Sequence, residues 1–416
     1  MANLRRRLRM RTAADGCIPD VRERQMGLMF SRLLRCRVWL FGGLLNGVLF
    51  AAGAVAATKI SVYHDVDQPG HYLCWNGKPL LLIGDSVTQG WMESGQDFDQ
   101  TGYVDALASR GINVLHLWSF IGTDSAKQRV DSRLLYDAPE LWPWAGSTEA
   151  NTISLLAFKQ TYFDRLRNLV SYAESNGIAV LITVHDGWTK DLFSQHPYNS
   201  ANGNGPLTAS SQFVELADYN SEMGSAYDTA WTRQQKNQFF QERFAAKLII
   251  ELAPCSNVMY EMFNEGEWYN PTQRRQHEQH FLAFFRARCK NLLFSNTDHI
   301  TGDRPQGDAK VDVVALHNTL WTGKFGVFQS GFNTRPAKPY FEEEPVPEFD
   351  GGNLSMETIR LALWERALAG AGFVNQNTPV SDGTRTLRSS RKLPAVIWPM
   401  TMSGTAAGFS TPPVPR

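Results

Sequence analysis

From Lys78 onward the chain alternates short, unbroken apolar runs with longer amphipathic ones. The apolar runs predict strands over residues 79–84, 113–118, 179–184, 257–263, 299–302, 311–317, 339–344 and 371–375. None shows the apolar–polar alternation of a half-exposed strand, as expected of parallel strands covered on both faces. Between them, helical spacing of apolar residues predicts helices over 103–110, 162–176, 232–252, 273–290 and 356–369. Arg110-Gly111 and Asn176-Gly177 supply helix stops just ahead of two strands.

Strands alternating with helices imply βα units and a parallel sheet, hence the α/β class. Eight strands in about 300 residues suit a (β/α)8 TIM barrel better than an open doubly wound sheet. No glycine-rich phosphate turn opens any of the helices, which weakens the open-sheet alternative further. Two irregularities stand out. Residues 303–310 are too few for a helix between the fifth and sixth strands, and no eighth helix is legible after Asn375. An incomplete barrel at the C-terminal end is therefore one expectation, and residues 376–416 form an irregular tail suggestive of truncation or a frame shift. The long connections 119–160 and 186–230 follow the second and third strands, where a barrel builds its substrate site.

Charge adds an N-terminal story. The 416-residue chain is neutral overall, but ten arginines stand before Val38 against three acids, a balance of +7. Everything after Ala56 carries 31 basic and 38 acidic residues, or −7. That balance argues against nucleic acid as a partner, because phosphate binding needs clustered positive charge. Residues 38–56 are uncharged, follow Arg32, Arg35 and Arg37, and end in Ala54-Val55-Ala56. This is the pattern of an export signal cut before Ala57, with an uncleaved membrane anchor as the alternative. The expected organisation is an upstream extension over 1–28, a signal or anchor over 29–56 and a catalytic barrel over 57–375, placed outside the cytoplasm as a secreted or periplasmic protein. Five cysteines fall to three after cleavage (Cys74, Cys255, Cys289), too few for a disulfide framework, though one pair stays open.

The candidate chemistry begins at LLLIGDSVTQGW, residues 80–91, where Ser86 follows a strand in a Gly-Asp-Ser block like that of GDSL esterases. Such an enzyme needs a base and an oxyanion site. No Gly-x-Asn-Asp block occurs, none of the nine histidines has Asp three residues before it, and none lies beyond His317. Ser86 is then a turn or capping residue. Two other strand ends are richer: NVMYEMFNEGEW, residues 257–268, ends in Asn264-Glu265, and KPYFEEEPVPEF, residues 338–349, ends in three glutamates. In a barrel these strands point the same way, so Glu265 and a glutamate of the second group would face each other across its mouth. Glycosidic hydrolysis needs such a pair, one carboxyl to protonate the leaving oxygen and one carboxylate for the anomeric carbon.

The chain here resembles the retaining glycoside hydrolases of clan A, and most nearly the apiosidase-like family. The likeness rests on Gly77-Lys78-Pro79, on Gly84-Asp85, on NVMYEMFNE and on Lys338-Pro339 followed by Glu344-Pro345, and spans about residues 62–375. It implies Glu265 as acid/base, Glu344 as nucleophile, Asn264 on the sugar 2-hydroxyl and His317 beside the nucleophile. It implies no cofactor or metal, and a carbohydrate as the one partner, with a membrane involved only if the N-terminal segment stays uncleaved. The chain departs from that pattern in two places: the second strand, NVLHLWSF, lacks the family's arginine, and Glu343 stands where relatives have Gly. A barrel that binds carbohydrate without turnover is the alternative these departures keep open. Around the mouth, Asp85 is read as a sugar ligand or a helix cap, and His185 as a subsite or a hydrogen-bonded core residue. Trp118, Trp188 and Trp268 are read as sugar platforms or core. Glu261 is read as a supporting group, and HEQH (residues 277–280) as a solvated helix face.

Overall fold

The structure, a computed structural model, describes residues 58–63, 72–86, 92, 99–119, 142–147, 150–186, 193, 196–208, 221–264, 271–297, 308–316, 338–343 and 371–376. All of these fall within the unit Ala52–Arg416. The expected signal or anchor, the helix over 356–369 and the tail after Gln376 lie outside them. No described helix is long and apolar enough to cross a membrane.

Three short strands open the described chain: β1 (Ile60–Tyr63), β2 (Tyr72–Trp75) and β3 (Lys78–Leu80) form an antiparallel sheet. The single strand expected over 79–84 is thus two, because Lys78–Leu80 pairs with β2 and the barrel begins afresh at β4 (Ile83–Ser86). There follow α1 (Gln100–Ala108), β5 (Val114–Trp118), β6 (Trp144–Ala145), β7 (Ser154–Phe158), α2 (Gln160–Ser175) and β8 (Ala179–Asp186). The second half holds α3 (Arg233–Leu252), β9 (Val258–Asn264), α4 (Pro271–Arg286), β10 (Leu293–Thr297), β11 (Val313–Leu316), β12 (Tyr340–Glu342) and β13 (Gly372–Gln376).

β4, β5 and β8 to β13 close into one barrel in which every neighbouring pair is parallel. The eighth strand does return to the first: β13 pairs with β4 from Phe373 opposite Ile83 to Gln376 opposite Ser86. Closure at the C-terminal end is therefore complete in the sheet, without need of a legible eighth helix. The fifth strand lies at Leu293–Thr297, earlier than the expected 299–302. Its apolar start, Leu292-Leu293-Phe294, directly follows a helix tail and blended with it in the sequence pattern.

Alternate residues of each strand serve two separate cores, which explains the continuous apolar runs. Leu82, Val114, Ala179, Leu181, Met259, Phe294, Val313, Ala315, Phe341 and Val374 fill the barrel interior. Leu115, Leu117, Val180, Ile182, Tyr260 and Leu293 face outward onto Leu166, Val170, Phe244, Leu248, Phe281 and Phe285 of the helices. The helices begin where the polar caps say they should: Thr232 and Gln235 form a reciprocal capping box on α3, and Asp99 accepts from the Gly102 amide at α1. Gly111 and Gly177 take the positive φ values of 75° and 74° that end α1 and α2. Cys74, Cys255 and Cys289 are buried free thiols.

The two long connections pack on each other. Ile153 donates its amide to the Asn202 carbonyl and accepts from the Asn204 amide, while the Asn204 side chain accepts from Leu155 N–H at 2.7 Å. Trp144 lies against Tyr198 and Phe244, so this insertion is anchored onto α3.

Inside the barrel, Gly84 is surrounded. A Cβ there would lie 2.3 Å from Val374 Cγ1 and 2.5 Å from Val114 Cγ1. Gly84→Ala should destabilise by about 1–3 kcal/mol through overpacking. Adding Val374→Ala should recover part of the loss, because the two changes share one space. Thermal unfolding of the single and double variants checks both; simple additivity would show that the pressure is not at Val374.

Candidate active site

All eight barrel strands end on one rim, and the glutamates singled out in the sequence follow directly from it. β9 ends at Asn264, one residue before Glu265, and β12 ends at Glu342, two before Glu344. Glu265, Glu344, His317, Trp188 and Trp268 themselves lie outside the described residues. Asn264 is fully buried and stands opposite Asp186 across the β8–β9 pairing.

Below that rim, inside the barrel, is a polar cluster. Period-two alternation carries it there: His116 follows Val114, Thr183 follows Leu181, Glu261 follows Met259 and Glu343 follows Phe341, each two residues beyond an interior apolar residue. All four are at most 1% exposed. Thr183 Oγ1 donates to Glu261 Oε2. A hydroxyl has one proton, so the 2.8 Å contact between Thr183 Oγ1 and His116 Nε2 makes the imidazole the donor and places a proton on Nε2. The same nitrogen lies 3.5 Å from Glu261 Oε2, and Glu343 also hydrogen-bonds the Glu261 carboxyl. Burial alone would raise Glu261, but His116, Glu343 and Thr183 outweigh it and hold this carboxyl below its ordinary range. His116 stands on the strand where the resembled family carries arginine, and it serves the interior carboxylate there.

Trp118 stacks on His116 with ring centroids 4.3 Å apart and is 1% exposed. One face of its ring is thus occupied, and its indole N–H has no hydrogen-bond partner among the described residues.

Two sequence-selected residues face the other way. Asp85 was read as a sugar ligand or helix cap; instead its Oδ2 accepts from Tyr103 Oη of α1 at 2.9 Å, and the residue is fully buried. The reason is phase: Leu82 and Gly84 take the interior positions of this strand, so Asp85 falls in the helix layer. His185 likewise packs on His277 and Phe281 of α4, with its Nδ1 3.2 Å from His277 Nε2. This is the core role and not the subsite. Burial holds His185 down to about 3 and His277 well below the ordinary imidazole value, so both rings are neutral. Val184 and His185, like Met262 and Phe263 beside them, all lie on this helix side. The alternation therefore resumes one residue out of phase at the rim, which carries Asn264 towards the axis.

HEQH is not a solvated face. His277 is fully buried, His280 Nε2 lies 2.9 Å from Glu242 Oε1, and the Glu278 carboxyl accepts from Ser295 Oγ of β10. Burial, with the Glu261 and Asp308 charges adding to it, pushes Glu278 up to about 7 against the opposing pull of Ser295 and Arg274. Sequence reasoning missed Thr183, Glu343 and Glu278 as interior groups. For the first two the signal was present as a two-residue step from an interior apolar position. Among the described residues no group of His, Cys, Asp and Glu is arranged to hold a metal ion.

No protein-family model matches the chain, and no curated protein sequence matches it. Solved structures do. A protein from Bacteroides vulgatus assigned as a glycoside hydrolase superposes with a TM-score of 0.53 at 13% identity, over 78% of this chain and 56% of that one. The endo-1,4-β-mannanase of Rhizomucor miehei gives 0.50 at 11% identity, over 74% of this chain and 88% of that one. A second Bacteroides vulgatus structure, of glycoside hydrolase family 5, is covered over 62% of its length. This chain thus spans less than two thirds of those bacterial relatives. At such identities the likeness establishes the fold: a closed (β/α)8 barrel shared with glycoside hydrolases.

The Glu278 shift has a measurable sign. Its folded value near 7 exceeds the unfolded value of about 4.3, so the fold holds a proton that the unfolded chain has released between those pH values. Its contribution to stability is complete below about pH 4.3 and falls, by about 3 kcal/mol at most, as pH rises through 7. Glu278→Gln cannot ionise and still accepts from Ser295. The variant should melt higher than wild type at pH 8 and close to it at pH 4.5. Parallel pH profiles for the two proteins would mean that Glu278 is ionised in the fold.

Proposed function

We propose that this protein is an exported glycoside hydrolase that cleaves glycosidic bonds of a polysaccharide or oligosaccharide by a two-glutamate double displacement. The observation that carries the reading is the placement of β9 and β12 as parallel members of one closed barrel. Their C-terminal ends lie immediately before Glu265 and Glu344. The carboxyls so launched leave from the same rim, on strands three steps apart around the ring. The glycoside hydrolases of like fold and the motif resemblance support the same assignment.

In this reading Glu344 attacks the anomeric carbon while Glu265 protonates the departing oxygen. The resulting glycosyl-enzyme is then opened by a water that Glu265 deprotonates. A carboxyl separation of roughly 5–5.5 Å is the retaining geometry. Asn264 hydrogen-bonds the sugar 2-hydroxyl and His317 stands beside the nucleophile. Two kinds of residue support these roles: the neutral, dry His185–His277 pair behind the rim, and the interior Glu261 cluster beneath it. The uncharged segment over 38–56 supports export.

Glu265→Ala should cost natural glycosides about 100- to 10,000-fold in kcat/KM, the worth of a general acid. It should spare glycosylation by aryl glycosides with good leaving groups, so equal losses on both substrates would remove Glu265 from the role. A mechanism-based fluorosugar should label Glu344, read by peptide mapping; a label on Glu342 or Glu343 would shift the nucleophile to that residue. Oligosaccharide binding without turnover across a broad glycan panel would favour the non-catalytic barrel, consistent with the arginine missing beside His116.

A further inference from the structure

We propose that Glu343 is a proton-bearing positioning residue: its carboxyl ties β12 to Glu261 of β9 across the barrel interior and so sets the spacing of the two strand ends that lead to Glu344 and Glu265. The assignment of those two ends rests on the function proposed above; the tie itself does not.

The geometry requires a side chain for this task. β9 and β12 are separated in the ring by β10 and β11, so no backbone hydrogen bond joins them. Glu343 sits one residue before Glu344, and Glu261 four before Glu265. A contact between the first pair is therefore a strut just beneath the second. Two ionised carboxylates repel and have no donor between them, so a hydrogen bond between them needs a proton on one partner. Glu261 already accepts from Thr183 and lies beside His116 Nε2–H, so it is the acceptor. That leaves the proton on Glu343.

The groups facing this pair come from every strand that reaches it. His116 and Trp118 come from β5 and Thr183 from β8, while Phe294, Ala315 and Val374 bring only apolar surface from β10, β11 and β13. Glu278 of α4 acts on Glu261 through space from the outer layer. Removing the Glu343 proton at high pH would place two like charges against each other on the axis and push β9 and β12 apart. The strut also accounts for a glutamate where the resembled family has glycine, since an extra acid in protonated form adds a link without adding a charge next to the nucleophile.

The test compares Glu343→Gln with Glu343→Ala in the full-length protein. The amide of Gln donates to Glu261 at every pH, so Glu343→Gln should move the alkaline limb of the kcat/KM profile upward. Glu343→Ala should lose about 100-fold in kcat with little change in KM, the scale of a misplaced reacting group, and Gln should rescue it. Infrared spectroscopy gives a readout free of turnover: a protonated-carboxyl band should be present in wild type and Glu344→Gln and absent from Glu343→Gln. An unchanged band in Glu343→Gln overturns the proposal, and so does an unmoved alkaline limb in an active variant. Loss of turnover with a fluorosugar label on Glu343 overturns it in favour of a nucleophile at that position. If wild type turns over no glycoside, the proposed function fails while the infrared comparison still decides the tie.

Discussion

Backbone pairing of β13 with β4, from Phe373–Ile83 to Gln376–Ser86, converts a twisted parallel sheet into a ring. The ring leaves no sheet edge unpaired, and it divides every strand into an inner and an outer set of side chains. The close approach at Gly84 and Gly372 shows how little room closure leaves: side-chain atoms of Val374, Val114 and Phe341 occupy the places where their Cβ atoms would stand. Each later feature, from the two cores to the direction of each polar residue near the rim, follows from that division.

The division also governs which polar groups can be tolerated. On the inside, Glu261 is fully buried, yet Thr183, His116 and Glu343 surround it with donors, so its charge is stabilised despite the loss of water. On the outside, Asp85 accepts from Tyr103, and His185 pairs as a neutral ring with His277. These are neighbouring strand ends with chemically similar residues and opposite destinations. A carboxylate facing the axis beneath the mouth can influence a reaction there, whereas one facing a helix joins two layers.

Much of the architecture was legible along the chain. Unbroken apolar runs separated by amphipathic segments specify buried parallel strands and covering helices without any knowledge of contacts. Thr232 with Gln235, and Gly111 and Gly177, marked helix ends to within a residue. The fifth strand was misplaced because Leu292 to Phe294 continued the apolar character of α4 with no turn residue between. HEQH looked solvated because its residues are polar, but polarity does not say whether the partner is water or Glu242 and Ser295.

The sequence by itself determined the class of fold, the order of its strands and the two glutamate-bearing strand ends, because hydrophobic period and local stop signals are properties of neighbouring residues. Only the tertiary structure decided that the ring closes at β13, that Asp85 and His185 belong to the helix layer, and that Glu343 meets Glu261 across the axis. Those outcomes depend on register and on which of two faces a residue occupies. A one-residue change of phase reverses that face while leaving composition and spacing untouched.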